Sequence, residues 1–204
     1  MLFEDTYKTI EKRTQGYFKD RGSKFYAFAY PVTTEEEIKT ILQELRKEYH
    51  DARHHCYAYI LGFDKSAYRM NDDGEPSGTS GKPIYGQLLS HDLTNTLVVV
   101  IRYFGGTKLG IPGLINAYKT ATKDALSKNN IITKTVNDVY EIHFEYTDMN
   151  NVMKIIKEEK IALISNDYQM DCKIVFSVRK NNTNRVYEKF KKIKGLKIKF
   201  LHTE

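Results

Sequence analysis

The chain has 204 residues, a formal net charge of +6, 28% charged and 41% hydrophobic residues. That composition excludes a disordered, collagenous or linker-like chain, and the length is enough for a core that needs neither disulfides nor metal. Thr6 to Tyr30 alternates apolar and polar residues, with a break at Asp20-Arg21-Gly22-Ser23, and reads as strands joined by a turn. Phe25, Tyr26, Phe28 and Tyr30 mark Lys24–Val32 as a half-buried strand. Thr34 is placed as an N-cap, with Glu35, Glu36 and Glu37 at the positive end of the following helix dipole. Ile38, Ile41, Leu42, Leu45 and Tyr49 recur at helical spacing and predict its buried face.

A strand is predicted from His54 to Leu61, then a turn at Asp64–Ala67 and a loop of unusual composition, Asp72 to Pro83. Ile84, Leu88 and Leu89 resume a helical pattern. Thr96–Tyr103 is β-branched in its middle, which predicts a central strand buried on both faces. A second Gly-rich loop, residues 104–113, leads into a helix predicted from Leu114 to Leu126. After about Lys134 the pattern becomes strand, helix, strand, strand, helix, strand: Val139–Tyr146, Asn151–Glu159, Ala162–Met170, Cys172–Val178 with a turn around Asp171, Asn184–Ile193 and Leu196–Leu201. This order predicts a ferredoxin-like α+β domain over 136–204, behind a first domain over 1–135.

The two cysteines, Cys56 and Cys172, are too few for a secreted disulfide scaffold, the first residues show no apolar leader or anchor, and the longest apolar run, Leu97 to Ile101, is too short to span a bilayer. The expectation is a cytoplasmic protein with no membrane partner. Each predicted domain carries a net charge of +3, but the second is half the length, and residues 179–199 hold nine basic residues against Glu188 alone. Such a cation field attracts phosphate backbones, or else solvates a helix face. Arg179, Lys180, Arg185, Lys189, Lys191 and Lys192 are its nucleic-acid-binding candidates.

In the loop 72–83, Gly74, Gly78 and Gly81 permit backbone conformations that other residues avoid. Ser77, Thr79 and Ser80 precede a helix whose free N–H groups form a ready anion site; Lys82 adds charge, and Asp72, Asp73 and Glu75 are hard-oxygen donors. The alternative is a tight connection in which the hydroxyls cap the helix and the acids bond backbone amides, and neither Walker nor Rossmann spacing is present. In the second loop, Gly105, Gly106 and Lys108 lie beyond Arg102 at the strand end. Arg102 either opposes a bound anion or forms an ion pair with an acid of the first loop. On a strand, His54 and Cys56 point to one face and His55 to the other, so the three cannot make one compact metal site, and no metal or other cofactor is assigned.

Arg53-His54-His55-Cys56-Tyr57-Ala58-Tyr59, the string DDGEPSGTSGKPI and the string VVVIRYFGGTKLGIPGLINAY together resemble the IMPACT family, in its bacterial YigZ-like branch. Pro112 departs from the Gly common there and stiffens the loop. The resemblance implies an N-terminal domain like the second domain of ribosomal small-subunit protein five, and a C-terminal domain like the last domain of elongation factor G. It transfers no catalytic residues. Its eukaryotic members regulate translation initiation by competing for an activator of an initiation-factor kinase. The leading expectation is therefore a non-enzymatic translation regulator that binds RNA, the ribosome or a translation factor. A second is a phosphate-ligand or nucleotide enzyme, since the implied fold is shared with the GHMP kinases. In it Ser77, Thr79, Ser80 and Lys82 contact an anion, Asp73 or Glu75 a metal, and Arg102 balances charge. A third is a regulatory protein-interaction module without nucleic acid.

Overall fold

The computed structural model describes residues 5–169 and 171–204. The first four residues, on which the absence of a leader was partly read, and Met170, where a predicted strand ends, lie outside the described residues. The chain divides into two compact units: Tyr7–Lys134 form one, while Asp5 and Thr6 group with Thr135–Glu204 in the other. Among the described residues no helix is long and apolar enough to cross a membrane.

The first unit is built on an antiparallel sheet of β2 (Thr14–Asp20), β3 (Ser23–Pro31), β4 (His54–Leu61), β5 (Ala67–Asn71) and β6 (Thr96–Tyr103), in the order β2-β3-β6-β4-β5. β6 is central and buried along almost its whole length, as its β-branched run demands. β2 and β3 are joined by a two-residue turn in which Arg21 and Gly22 both take positive φ, the mirror-image turn that matches strand twist. One face of the sheet packs against α1 (Glu35–Glu48), through Phe28, Tyr57, Tyr59, Val99 and Ile101 against Ile38 and Leu45. Thr34 and Glu37 close a reciprocal capping box at the start of α1. The other face packs against α2 (Gly81–Ser90) and α3 (Gly110–Ser127), which bury Ile84, Leu88, Leu114, Tyr118, Ala121 and Ala125 on Phe25, Ala27, Cys56 and Val100. Gly16 lets α3 sit hard against β2, since a Cβ there would lie 2.3 Å from the Ala125 nitrogen. β1 (Thr6–Ile10) pairs with β7 (Ile131–Thr135) in a separate two-stranded sheet.

The second unit runs β8 (Asn137–Glu145), α4 (Met149–Glu158), β9 (Ala162–Tyr168), β10 (Asp171–Arg179), α5 (Thr183–Lys191), β11 (Lys197–Thr203). Its antiparallel strand order, β11-β8-β10-β9, is the ferredoxin-like arrangement. Val152, Ile156, Val186 and Phe190 of the helices pack on Ile142, Phe144, Ile174 and Phe176 of the sheet. The molecule is thus a mixed α+β chain of two units.

Several local expectations change. β5 occupies the stretch between the predicted turn at Asp64–Ala67 and the loop from Asp72, where no element is predicted; it is a largely exposed edge strand, so its sequence carries no buried alternation. β7 is likewise exposed along most of its length. α3 starts at Gly110 rather than Leu114, so Gly110, Pro112 and Gly113 are helical. Pro112 therefore sits in a first turn, where its missing N–H leaves no intrahelical bond unmade. Asp171 is the first residue of β10, paired with Glu145, rather than the turn.

Candidate functional site

The first Gly-rich loop leaves the end of β5 and closes onto the start of α2. Asp72 organises it. Its Oδ1 accepts from the amides of Ser80 (3.1 Å) and Gly81 (2.9 Å) and from the Ser80 hydroxyl (2.7 Å), and its Oδ2 accepts from the Gly78 amide (2.8 Å). The helix N-terminus that would receive an anion thus already holds a carboxylate of the protein itself. Burial works to raise the Asp72 carboxyl, but these donors together hold it below the ordinary value. Thr79 turns its hydroxyl to the Pro76 carbonyl at 2.6 Å, whereas Ser77 and Lys82 are exposed.

Asp73 and Glu75 face in other directions. Asp73 takes positive φ, accepts from Arg46 at 2.8 Å and from the His55 amide at 2.6 Å, and its carbonyl lies 2.9 Å from His54 Nδ1 beside Gly74. Burial again opposes ionisation, and Arg46 with the His55 amide overcomes it, so Asp73 titrates below the ordinary range. Glu75 is buried. Its Oε1 accepts from Arg102 at 2.6 Å and from the Tyr118 hydroxyl at 2.8 Å. Burial, with the neighbouring Cys56 and Glu75, pushes the Tyr118 phenol upward. Cys56 Sγ lies 3.1 Å from the Asp72 carbonyl and 3.3 Å from the Tyr118 hydroxyl. Burial pushes this thiol up to about 12, so it is held as a thiol and lacks the thiolate a nucleophile requires. Among the described residues no three His, Cys, Asp or Glu side chains cluster so as to hold a metal ion.

Arg102 links the two loops. Besides Glu75 it reaches Ser23 Oγ at 3.5 Å, and its guanidinium lies over the rings of Phe25 and Phe104 at 5.5 and 5.6 Å. Of the two readings of Arg102, the ion pair with an acid of the first loop is the one the geometry contains. Gly105 packs on the β2–β3 turn, donating to Ser23 Oγ at 3.1 Å, and a Cβ on it would fall 1.9 Å from the Gly22 carbonyl carbon. Gly106 and Lys108 are exposed. Tyr118, Ser23 and Arg46 are part of this network without being site candidates in the sequence: Tyr118 ends the third family string and has the helical spacing of a core residue, Ser23 belongs to a predicted turn, and nothing marks Arg46.

In the second unit the basic candidates divide into two sets. Arg179 forms a bidentate pair with Asp5 (2.6 and 2.8 Å), Arg185 pairs with Glu159 (2.8 Å), and Lys189 pairs with Glu159 (2.7 Å) and Glu158 (3.4 Å). Lys189 first, then Arg185, keeps Glu159 ionised below its ordinary range. Among the described residues no carboxylate pairs with Lys191, Lys192 or Lys194, and Lys191 lies 5.9 Å from the Tyr187 ring centroid. Lys192 and Lys194, with Lys154, Lys189 and Asn151, line an open cleft of about 420 Å³ beside α4 and α5, where the acids are Asp148 and Glu158. Lys180 begins the turn before α5.

Residues 21–126 match the family described as Impact N-terminal domain. The chain is similar to IMPACT family member YvyE of Bacillus subtilis, at 30% identity over 183 residues that cover 90% of this chain and 84% of that protein. It is also similar to IMPACT family member YigZ of Escherichia coli, at 34% identity over 151 residues, 73% of this chain and 74% of that one. A crystal structure described as a hypothetical protein superposes with a TM-score of 0.73 at 26% identity, covering 97% of this chain and 98% of the other. The matched domain holds β3 through α3, the elements that carry Asp72, Glu75, Arg102 and Tyr118, and together with bacterial relatives alike over most of their lengths it places the chain in the IMPACT family.

Proposed function

We propose that this chain is a non-enzymatic, cytoplasmic regulator of translation that binds RNA, on the ribosome or in association with a translation factor. The observation that carries the reading is the set of lysines without carboxylate partners among the described residues: Lys192 and Lys194 on the rim of the cleft beside α4 and α5, and Lys191 at the C-terminal end of α5. Cations spent on internal pairs contribute little to a polyanion; unpaired ones release counterions when they meet phosphates. Family membership supports a role in translation, the process in which the eukaryotic members act. The inward pairing of Asp72, Asp73 and Glu75 supports binding over catalysis, because the three acids of the first loop are engaged with the protein itself.

The test is fluorescence anisotropy with labelled ribosomal RNA fragments, and co-sedimentation with ribosomes, across a salt series. Wild type is expected to bind with a steep salt dependence. K191E/K192E/K194E is expected to weaken binding at least tenfold and to flatten the slope of log K against log salt by roughly 0.7–0.9 per lysine that touches phosphate. Salt-independent binding, or a variant that binds as wild type does, overturns the reading. Lys189 and Arg185 are poor choices for this test, since reversing either also breaks the pairs to Glu159.

A further inference from the structure

The first unit carries a second surface that the basic cleft does not involve. On β3 the alternation of side chains puts Lys24, Tyr26, Phe28 and Tyr30 on the α1 face of the sheet. Register adds Tyr17 opposite Tyr26, Lys19 opposite Lys24, and Tyr103 on the other side of Lys24. α1 ends at Glu48, and this corner of the sheet beyond it is open: Tyr17 is 43% and Phe104 52% exposed. Tyr26, Tyr49, Tyr103 and Phe104, with Lys24 and Gly22, line a cavity of about 450 Å³. Its walls meet at different angles. Tyr26 and Tyr49 are near-stacked at 6.4 Å, while Tyr26 and Tyr103 are edge-to-face at 6.0 Å. The Tyr103 hydroxyl is fixed by a 2.7 Å bond to Asp51.

We propose that this cavity receives an unstacked base of single-stranded RNA, with the β2–β3 hairpin holding the adjoining phosphates. The proposal rests on the RNA-binding reading above and deepens it by naming a site and the form of RNA it takes. Sheet faces bearing exposed aromatics hold single strands because every base offers a π-face, while bases inside a duplex are already stacked and out of reach. The volume lies in the range of small-ligand pockets, roughly 300–1,000 Å³. Charge on the hairpin favours a nucleic acid over an apolar peptide. Lys19, Arg21 and Lys24 cluster at its end against Asp20, while Glu48, beside Tyr49, and Asp51, whose carboxylate accepts from Tyr103, lie off the hairpin. Phe104 is the exposed wall of the site: it follows β6 directly, and the buried Arg102 guanidinium lies against its ring.

The experiment uses the full chain with a labelled single-stranded decanucleotide and a duplex of the same sequence, read by anisotropy and by intrinsic tyrosine emission. Since the chain has no tryptophan, that emission reports directly on its tyrosines. Phe104→Ala is expected to weaken single-strand binding roughly 5- to 100-fold, the effect of losing one stacking ring, with duplex binding unchanged. Lys24→Glu, on an exposed side chain, is expected to weaken it as well, and saturating oligonucleotide to quench tyrosine emission in wild type. Wild-type binding that neither substitution alters, emission that does not change at saturation, or quenching by an aromatic peptide in place of the oligonucleotide each overturn the proposal and leave the RNA-binding reading standing. Failure of wild type to bind any RNA overturns both.

Discussion

Asp72 is the residue on which the first loop depends, and it acts as a built-in anion at the start of α2. Four donors converge on one carboxylate. Asp72→Ala is expected to cost about 2–3 kcal/mol, more than a usual cap, because two backbone amides of a buried helix start lose their acceptor. Asp72→Asn is expected to recover less than half of that, since its amide nitrogen would face either the Gly78 amide or the Ser80–Gly81 donors. The pH dependence has a fixed sign. A folded value below the ordinary 3.8 means that the contribution is complete above that value and is lost as pH falls through the folded one. Urea titrations between pH 3 and 7 are therefore expected to show the wild-type advantage over Asp72→Ala shrinking only at the acid end. A constant difference across the range would show that the carboxylate charge is not what holds the loop. Glu75 and Arg102 form the buried counterpart. Removing one partner is expected to cost about 3–5 kcal/mol by stranding the other, while Glu75→Gln with Arg102→Met is expected to cost less than the two single changes added together. The sequence makes these acids visible but leaves their partners open. The pairing depends on β5 delivering residue 72 beside β4, and an exposed edge strand carries no alternation from which to predict that.

At the scale of elements, α1 and β6 were legible because local signals and burial agree. Thr34 with three following glutamates marks a start, and a β-branched run marks a central strand. Thr34→Ala is expected to lower stability by about 1 kcal/mol in denaturant titration, the usual value for a lost cap. The order of elements in the second unit is also legible, since β8, β10, α4 and α5 each keep one apolar face, although β9 is exposed along its whole length. What charge counting could not reveal is how the bases of α5 are spent. Glu159 is nearly buried and gathers Arg185 and Lys189 from α5 onto the end of α4. Lys189→Glu is therefore expected to lower the melting temperature of the second unit, because it replaces the cation beside Glu158 and Glu159 with a like charge, while Lys192→Glu is expected to leave its melting unchanged. Equal melting of the two variants would show that α4 and α5 do not depend on this pair.

Over the whole molecule, the net charge of +6 divides evenly along the sequence, but the chain is not divided in sequence order. Asp5 leaves the N-terminal stretch and closes onto the unit formed by 135–204. Its carboxylate, 3% exposed, receives the Arg179 guanidinium twice and the Asn181 amide at 3.3 Å, and its carbonyl receives the Val136 amide at 2.8 Å. A contact between residues 174 positions apart leaves no periodic trace, so a boundary drawn from composition alone keeps Asp5 and Thr6 with their sequence neighbours. The consequence can be measured by hydrogen exchange on the intact chain. Asp5→Ala removes a nearly buried acceptor of charge-assisted bonds, and is expected to cost about 2 kcal/mol in the second unit. The amides of Asn181 and of β10 would then exchange faster, because the turn before α5 and the end of β10 are tied to the same carboxylate, while the amides of β6 would keep wild-type protection. A loss spread equally over β6 and β10 would mean that the two units open together and that Asp5 stabilises the chain as a whole. No change at Asn181 would mean that Arg179 is held in place without it.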